Sequence, residues 1–259
     1  FDLVCELREG GHHSGNWGGL LANPGIILSH ALASIVSETG RIKVKEWLPG
    51  PLPNSVKAAL RGLTVDGGEN APEIDERGGE PDLSAAEQVY GWNSFEVLAF
   101  KVGNPDRPVN AVPPRAWAHC QLRFIADTDR DAIIPALRKH LDENGFDMVD
   151  VQPPPDMNAG DFGSTRTDPE NPWAVWASDS LERTIGSPPA VIPQLGGSIC
   201  NDVFTDLLGL PTIWVPHSYA SCSQHAPNEH ILLSEARSAI ELMAGLYWDL
   251  GEGVTPKAA

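Results

Sequence analysis

The amino-acid sequence predicts two successive domains: an α+β domain of ferredoxin-like βαββαβ order over residues 1–152, and an α/β domain over residues 153–259. The first domain is indicated by the order of its hydrophobic patterns, in which strand-like and helix-like periods alternate as in a two-layer sandwich. The boundary is indicated by Pro153-Pro154-Pro155, because three consecutive prolines cannot continue a sheet. The second domain is indicated by helical segments that alternate with short apolar runs.

The first domain opens with residues 1–7, whose alternating apolar and charged side chains predict a strand. Asn23-Pro24 then supplies an N-cap and a first-turn proline for a helix. Residues 41–93 are rich in proline, glycine and acidic residues, so we expect an irregular insertion with at most a short helix over residues 56–60. The later elements predicted here are strands over residues 95–102 and 116–125, a helix over residues 129–144 that Gly145 ends, and a last strand over residues 148–152.

The second domain has too few strands for a complete α/β fold. Its predicted elements are helices over residues 172–185, 201–208 and 234–250 and short strands over residues 190–193 and 212–215. Two short strands make a poor parallel sheet, because both faces and at least one edge still need to be covered. Since the chain also starts at Phe1 inside a predicted strand, without a methionine or a signal peptide, we expect it to be a fragment of a longer protein.

Composition and charge exclude several classes of protein. An apolar fraction of 41% with eight tryptophans indicates a globular chain. Eighteen basic against 35 acidic side chains give a net charge of −17, which repels nucleic acid and anionic membrane surfaces. No apolar stretch approaches the roughly 18 residues that a membrane-spanning helix requires. The four cysteines lie far apart without the spacing of a disulfide framework, so we expect a reducing compartment and a cytoplasmic protein.

Two clusters in the first domain contain residues suited to catalysis or binding. The segment His12-His13-Ser14-Gly15-Asn16-Trp17-Gly18-Gly19 either presents a histidine on a rigid glycine turn or simply exposes two histidines to solvent. Asn110 and, thirteen positions later, Arg123 form the second cluster. The alternation of its predicted strand puts Arg123 on the polar face, opposite the apolar row that contains Ala118 and Cys120, where it could clamp a carboxylate or simply be solvated.

A third cluster lies in the second domain. Gly196-Gly197-Ser198 offers backbone N–H groups to an anion such as a carboxylate. Ser198 lacks the G-x-S-x-G pattern of a serine hydrolase, so we do not expect it to be a nucleophile. His225, shortly before Asn228-Glu229, could be one ligand of an open metal site or a hydrogen-bonded structural residue.

Taken together and in this order, the clusters resemble the di-zinc exopeptidases and amidohydrolases. This family includes aminoacylase, carnosinase-type dipeptidases, glutamate carboxypeptidase and succinyl-diaminopimelate desuccinylase. Its members have an α/β zinc-binding catalytic domain into which a βαββαβ lid is inserted, and the lid is also the dimerisation domain. The matching motifs are His13-Ser14-Gly15 with Gly18-Gly19 and Asn23-Pro24; Asn110, Val112-Pro113 and Arg123; Gly196-Gly197-Ser198; and His225 before Asn228-Glu229. The resemblance covers nearly the whole chain.

The resemblance implies a lid over residues 1–152 and the C-terminal part of a catalytic domain over residues 153–259. It also implies that the family's N-terminal catalytic half, which holds the other metal ligands and the glutamate general base, is absent from this chain. The chain alone is then expected to be inactive, because one histidine cannot hold a zinc pair.

For the intact protein the resemblance implies a homodimer with two zinc ions per site. It would hydrolyse the amide bond of small peptides or N-acyl amino acids with a free carboxylate. His13, delivered from the lid of the partner subunit, would stabilise the oxyanion, and His225 would ligate one zinc ion. The residues implied to hold the carboxylate of the substrate are Asn110, Arg123, Gly197 and Ser198.

An alternative of a different class is a complete non-enzymatic protein, a ferredoxin-like dimerisation or binding module with an α/β appendage. An upstream reading frame that encodes about 180 further residues, with the missing metal ligands and glutamate base, would favour the enzyme. Natural initiation at Phe1 would favour the module.

Overall fold

The structure, a computed structural model, describes residues 1–65, 73–75, 77–153, 163–195, 199–224, 226–253 and 255–256. Its strands, in chain order, are β1 (Asp2–Glu6), β2 (His12–His13), β3 (Ser94–Val102), β4 (Ala111–Val112), β5 (Arg115–Arg123) and β6 (Val149–Gln152). Its helices are α1 (Ser14–Trp17), α2 (Pro24–Ile35), α3 (Asn54–Leu60), α4 (Ala85–Tyr90), α5 (Ile133–Glu143), α6 (Pro172–Ile185) and α7 (Leu233–Gly251). Short 3₁₀ turns lie at Lys45–Trp47, Arg130–Ala132 and Ala220–Cys222.

The contacts within the chain define two compact units. The first unit comprises Phe1–Gly50, Arg77–Leu83 and Trp92–Asp161, and the second comprises Pro51–Glu76, Ser84–Gly91 and Phe162–Ala259. Both units therefore include parts of the segment 41–93.

The centre of the first unit is a four-stranded antiparallel sheet in the order β3-β5-β1-β6. β1 lies between β5 and β6, so that Leu3 pairs with Ala118 on one side and with Val151 on the other. β3 pairs with β5 over nearly its whole length, with an irregularity between Val97 and Ala99. The prediction of a domain that combines helices with an antiparallel sheet is confirmed.

Helices α2 and α5 contact the sheet and each other, and they enclose the core of this unit. The alternation predicted for β5 is confirmed, since Ala116, Ala118 and Cys120 are buried while the end residues Arg115 and Arg123 are exposed. Removing apolar side chains from water on one face of the sheet is the main force that holds the layers together. The buried side chains of this core include Leu3, Cys5, Leu28, Ala31, Ile35, Trp47, Phe95, Ala118, Leu137 and Val151.

The start of α2 and the end of α5 follow the sequence signals. The Asn23 side-chain oxygen accepts a hydrogen bond from the Gly25 amide at 2.9 Å, and Pro24 is the first residue of α2. Gly145, shortly after α5, has a φ of +78°, a left-handed conformation that glycine adopts without strain. The helices predicted at these two places are confirmed.

The segment 41–93 contains more regular structure than the sequence analysis predicts. The short helix expected over residues 56–60 is present as α3, but α4 was missed. The sequence does contain a signal for the start of α4, since Ser84 and Glu87 form a capping box. The Glu87 carboxylate accepts a hydrogen bond from the Ser84 amide at 2.9 Å, and the Ser84 hydroxyl accepts one from the Glu87 amide at 3.3 Å.

In the second unit, α6 and α7 confirm the helices predicted over residues 172–185 and 234–250. Asp249 on α7 links them, because its carboxylate accepts hydrogen bonds from the Ser180 hydroxyl and from Arg183, both at 2.6 Å. No described helix is long and apolar enough to cross a bilayer.

Two predicted strands of this unit are wrong. Residues 190–193 and 212–215 form no strand. A strand needs a hydrogen-bonded neighbour, and the described residues of the second unit contain no strand to pair with them. The helix predicted over residues 201–208 is present in part, as a π-helix at Val203–Leu207.

Candidate functional site

His13 and Asn110 lie together at one end of the first unit. β2 and β4 form a separate two-stranded antiparallel sheet in which His13 pairs with Ala111. The Ser14 amide donates a 2.9 Å hydrogen bond to the carbonyl oxygen of Asn110. Both His13 and Asn110 are exposed. These two residues, which belong to separate clusters in the sequence, are therefore neighbours in one part of the first unit, which we call the tip and define as residues 12–19 and 109–112.

The imidazole of His13 is held by the adjacent backbone. His13 is the N-cap of α1, and its Nδ1 atom accepts a hydrogen bond from the Gly15 amide at 3.1 Å. The ring of Trp17 contacts the ring of His12 edge-on, with 6.3 Å between their centroids. An exposed side chain whose orientation is already restrained can meet a ligand without a large loss of conformational entropy.

Arg123 lies at the other end of β5 from the tip. β4 leads directly into β5, whose first residue is Arg115. Because a strand rises by about 3.3 Å per residue, the nine residues of β5 separate Arg115 from Arg123 by about 26 Å. Within one copy of the chain, Asn110 and Arg123 are therefore at opposite ends of this strand, and the structure does not bring them together.

A polar cluster on the sheet was not predicted from the sequence. The Asp2 carboxylate makes a 2.6 Å hydrogen bond with Nδ1 of His119 and accepts one from the Trp117 indole at 2.8 Å. Burial favours the neutral form of Asp2, but the hydrogen bonds from His119 and Trp117 outweigh it, so the pKa of Asp2 lies below its usual value. Asp2 and His119 are cross-strand neighbours of β1 and β5, a contact that no local sequence pattern signals.

Three of the predicted site residues, Gly197, Ser198 and His225, lie outside the described residues. The described part of the same region forms two cavities in the second unit. One, of about 320 Å³, lies against α6 and is lined mainly by apolar side chains, together with the segments 189–195 and 212–216. The side chains that line the other include His217, Tyr219, Cys222, Glu229 and His230.

The described residues do not provide a metal centre on their own. No group of three or more His, Cys, Asp or Glu side chains among them could hold a metal ion. Burial raises the pKa of the Cys120 thiol to about 12 and that of Cys5 above its usual value, so neither is a thiolate nucleophile at neutral pH.

The fold is similar to that of three solved peptidases. The M20 family metallo-carboxypeptidase Sso-CP2 from Sulfolobus solfataricus has a TM-score of 0.74 and 21% identity, over 94% of this chain and 56% of that chain. The dipeptidase Dug1p from Saccharomyces cerevisiae has a TM-score of 0.71 and 19% identity, over 94% and 52%. Human carnosine dipeptidase 1 has a TM-score of 0.69 and 16% identity, over 97% and 54%. The chain thus spans about half the length of these proteins.

A comparison with curated proteins gives no match. The sequence does match the peptidase dimerisation domain of the M20 family over residues 5–148, a range that covers more than half of the chain and includes the tip and all of β5. On this match, the chain belongs to the M20 peptidase dimerisation domain family.

Proposed function

We propose that the intact protein is a metal-dependent hydrolase that cleaves the amide bond of small peptides or N-acyl amino acids with a free carboxylate. The M20 dimerisation domain and the similar fold of a metallo-carboxypeptidase and two dipeptidases support this proposal. Since the chain spans about half the length of those proteins, we further propose that these 259 residues alone are inactive.

The observation that carries the proposal is the distribution of three residues over the first unit. His13 and Asn110 share the tip, whereas Arg123 lies about 26 Å along β5 from the residue that begins this strand. A small substrate cannot span that separation. Two copies of the chain can, if the tip of one copy approaches Arg123 of the other.

At such a shared site, each side chain has a chemistry suited to one part of the substrate. His13 donates a hydrogen bond to the oxygen on which negative charge develops as the amide carbonyl is attacked. The guanidinium of Arg123 pairs with the free carboxylate, which its planar geometry fits in a bidentate manner. The Asn110 side chain, with Gly197 and Ser198, completes the carboxylate contacts.

We propose zinc as the metal, with His225 as one ligand. Imidazole nitrogen is a common zinc ligand, and zinc in such sites supplies Lewis acidity toward a carbonyl oxygen. We further propose that the remaining ligands come from parts of the intact protein that this chain, which spans about half the length of its solved relatives, does not cover.

We propose that the protein is a homodimer joined through β3. β3 is an edge strand of nine residues, and Val97, Leu98 and Phe100 on it are 41%, 56% and 43% exposed. Ile26 on α2, the helix that contacts β3, is 60% exposed. A long apolar edge strand is a template for pairing with another strand, and a second copy related by a two-fold axis supplies one.

We propose that residues 1–152 form a lid domain and that residues 153–259 are part of a catalytic domain. The first unit, which forms most of the lid domain, would then have the ferredoxin-like fold. The position of β1 between β5 and β6 and the packing of α2 and α5 support the ferredoxin-like description.

We also propose a cytoplasmic location, because the four cysteines are free and Cys200 is exposed, as suits a reducing compartment.

The test of the shared site is complementation between two impaired variants of the full-length protein, assayed with the substrate well below the wild-type KM, where a raised KM lowers the rate as much as a lowered kcat. His13→Ala and Arg123→Ala copies, carrying different affinity tags, are co-expressed and the mixed dimer is isolated by both tags. One of its two sites then holds both native residues and the other holds neither. We expect roughly half of the wild-type activity in the mixed dimer and very little in either variant dimer.

The matched control is a mixed dimer in which both differently tagged copies carry His13→Ala, which stays inactive. A His13→Ala/Arg123→Ala mixed dimer that is as inactive as this control would show that the two residues do not act from different copies, and would contradict the proposed site.

A further inference from the structure

The hydrogen bond between Gly15 and His13 decides where the proton of the neutral imidazole lies. A backbone amide can only donate, so the Nδ1 atom of His13, which accepts from Gly15 at 3.1 Å, must offer a lone pair. In a neutral imidazole the single ring proton is then on Nε2. Since the residue is exposed, that Nε2–H group remains available to a ligand.

Gly15 also provides the space that this bond requires. A Cβ atom at position 15 would lie 2.8 Å from Cε1 of His13 and 3.1 Å from its Nδ1. The first distance is shorter than real Cβ contacts, so any side chain at position 15 would push the ring away from the amide that holds it. Two properties of Gly15, its amide and its lack of a Cβ, therefore act on the same ring.

The chain contains a second N-cap in which the side chain accepts from the amide two residues ahead, as at His13. At the start of α2, the side-chain oxygen of Asn23 accepts a hydrogen bond from the Gly25 amide, two residues ahead, at 2.9 Å. Asparagine is among the preferred N-cap residues and histidine is not. Capping alone therefore does not account for a histidine at position 13, whereas the imidazole ring does, since it carries a donor N–H on the far side of the ring, farther from the backbone than the amide of asparagine reaches.

We propose that Gly15 is a positioning residue: its amide holds His13 in the Nε2–H tautomer, so that the neutral imidazole is a hydrogen-bond donor aimed at the developing oxyanion. This inference rests on the proposed function, in which His13 is the donor. A donor fixed before the substrate arrives needs no reorganisation when the charge forms, which is the condition for effective oxyanion stabilisation.

The first experiment reads the tautomer directly. The 259-residue chain is labelled with ¹⁵N and studied by NMR at a pH where the imidazole is neutral, and the His13 signals are assigned by their loss in His13→Asn. We expect a proton on Nε2 and none on Nδ1. We also expect the Gly15 amide to exchange with solvent roughly two- to tenfold faster in His13→Ala, the range that one hydrogen bond supplies.

Two variants separate positioning from structural support. His13→Asn retains a cap of the kind seen at Asn23, so we expect Gly15 to keep its slow exchange while kcat of the full-length enzyme falls as far as in His13→Ala. Gly15→Ala should produce a second tautomer with the proton on Nδ1, and kcat should fall about tenfold or more with little change in KM. Gly50→Ala, where an added Cβ meets nothing within 4 Å, is the control and should change neither readout.

A proton on Nδ1 of His13 in the wild-type chain would overturn the inference, as would an unchanged tautomer and unchanged kcat in Gly15→Ala. The proposed function fails separately: if the Nε2–H tautomer and the slow Gly15 exchange are observed but His13→Ala keeps full activity, the positioning of His13 by Gly15 stands and its catalytic role does not.

Discussion

The Ser14 amide donates a 2.9 Å hydrogen bond to the carbonyl oxygen of Asn110, although these residues lie in distant parts of the chain. This bond and the pairing of β2 with β4 place the histidine motif and the asparagine on one tip. The long strand β5 then carries Arg123 away from that tip. The arrangement makes several outcomes measurable.

Replacing His13 by alanine in the full-length enzyme should lower kcat roughly a hundredfold or more, with a smaller change in KM. The reason is that a donor to the oxyanion acts on charge that exists only in the transition state. Steady-state kinetics with an N-acyl amino acid measure both constants. An unchanged kcat would remove His13 from catalysis.

Replacing Arg123 by alanine should raise KM by roughly ten- to a hundredfold, because a charge-assisted bond to the carboxylate of the substrate is lost. Arg115→Ala is the matched control, since Arg115 is exposed at the opposite end of the same strand and its guanidinium lies 3.8 Å from the Glu6 carboxylate. The control should leave KM unchanged. Equal effects of the two substitutions, or no effect of either, would count against a carboxylate clamp at Arg123.

Phe100→Lys should weaken or abolish the dimer, because it places a charge on the apolar edge strand β3. Sedimentation equilibrium of the 259-residue chain measures the change in dissociation constant, which we expect to rise at least about tenfold. Met148→Lys is the control: Met148 is 38% exposed, close to the 43% of Phe100, but it precedes β6 at the opposite edge of the sheet. A dimer lost only in Met148→Lys would place the interface at the other edge.

Asp2→Asn should make the stability of the chain less sensitive to acid. The pKa of Asp2 is lowered in the folded state, so its stabilising contribution is present above the unfolded-state pKa and is lost as the pH falls through the folded-state value. Urea unfolding should show a loss on the order of 1 kcal/mol for Asp2→Asn at neutral pH that vanishes in strong acid. Asp150→Asn, which removes an exposed carboxylate 3.6 Å from Arg138, should have a smaller effect at every pH. A cost of Asp2→Asn that is independent of pH would contradict this account.

Local signals predicted many of the elements but not their pairing. The cap at Asn23, the glycine after α5 and the alternation along β5 each report on a few neighbouring residues, and each prediction is confirmed. The predictions of strands over residues 190–193 and 212–215 are wrong. An apolar run becomes a strand only when a neighbouring strand forms hydrogen bonds with it. The candidate roles of Gly197, Ser198 and His225 remain predictions.

The sequence by itself determined the identities of the candidate groups, the start of α2, the end of α5, and the family to which the first domain belongs. The tertiary structure alone decided that His13 and Asn110 share one surface, that Arg123 is remote from it, and that Asp2 meets His119. The physical reason is that capping and alternation act within a few residues. Cross-strand contacts instead depend on which strands pair and in which register, and that choice is made by the burial of the whole core.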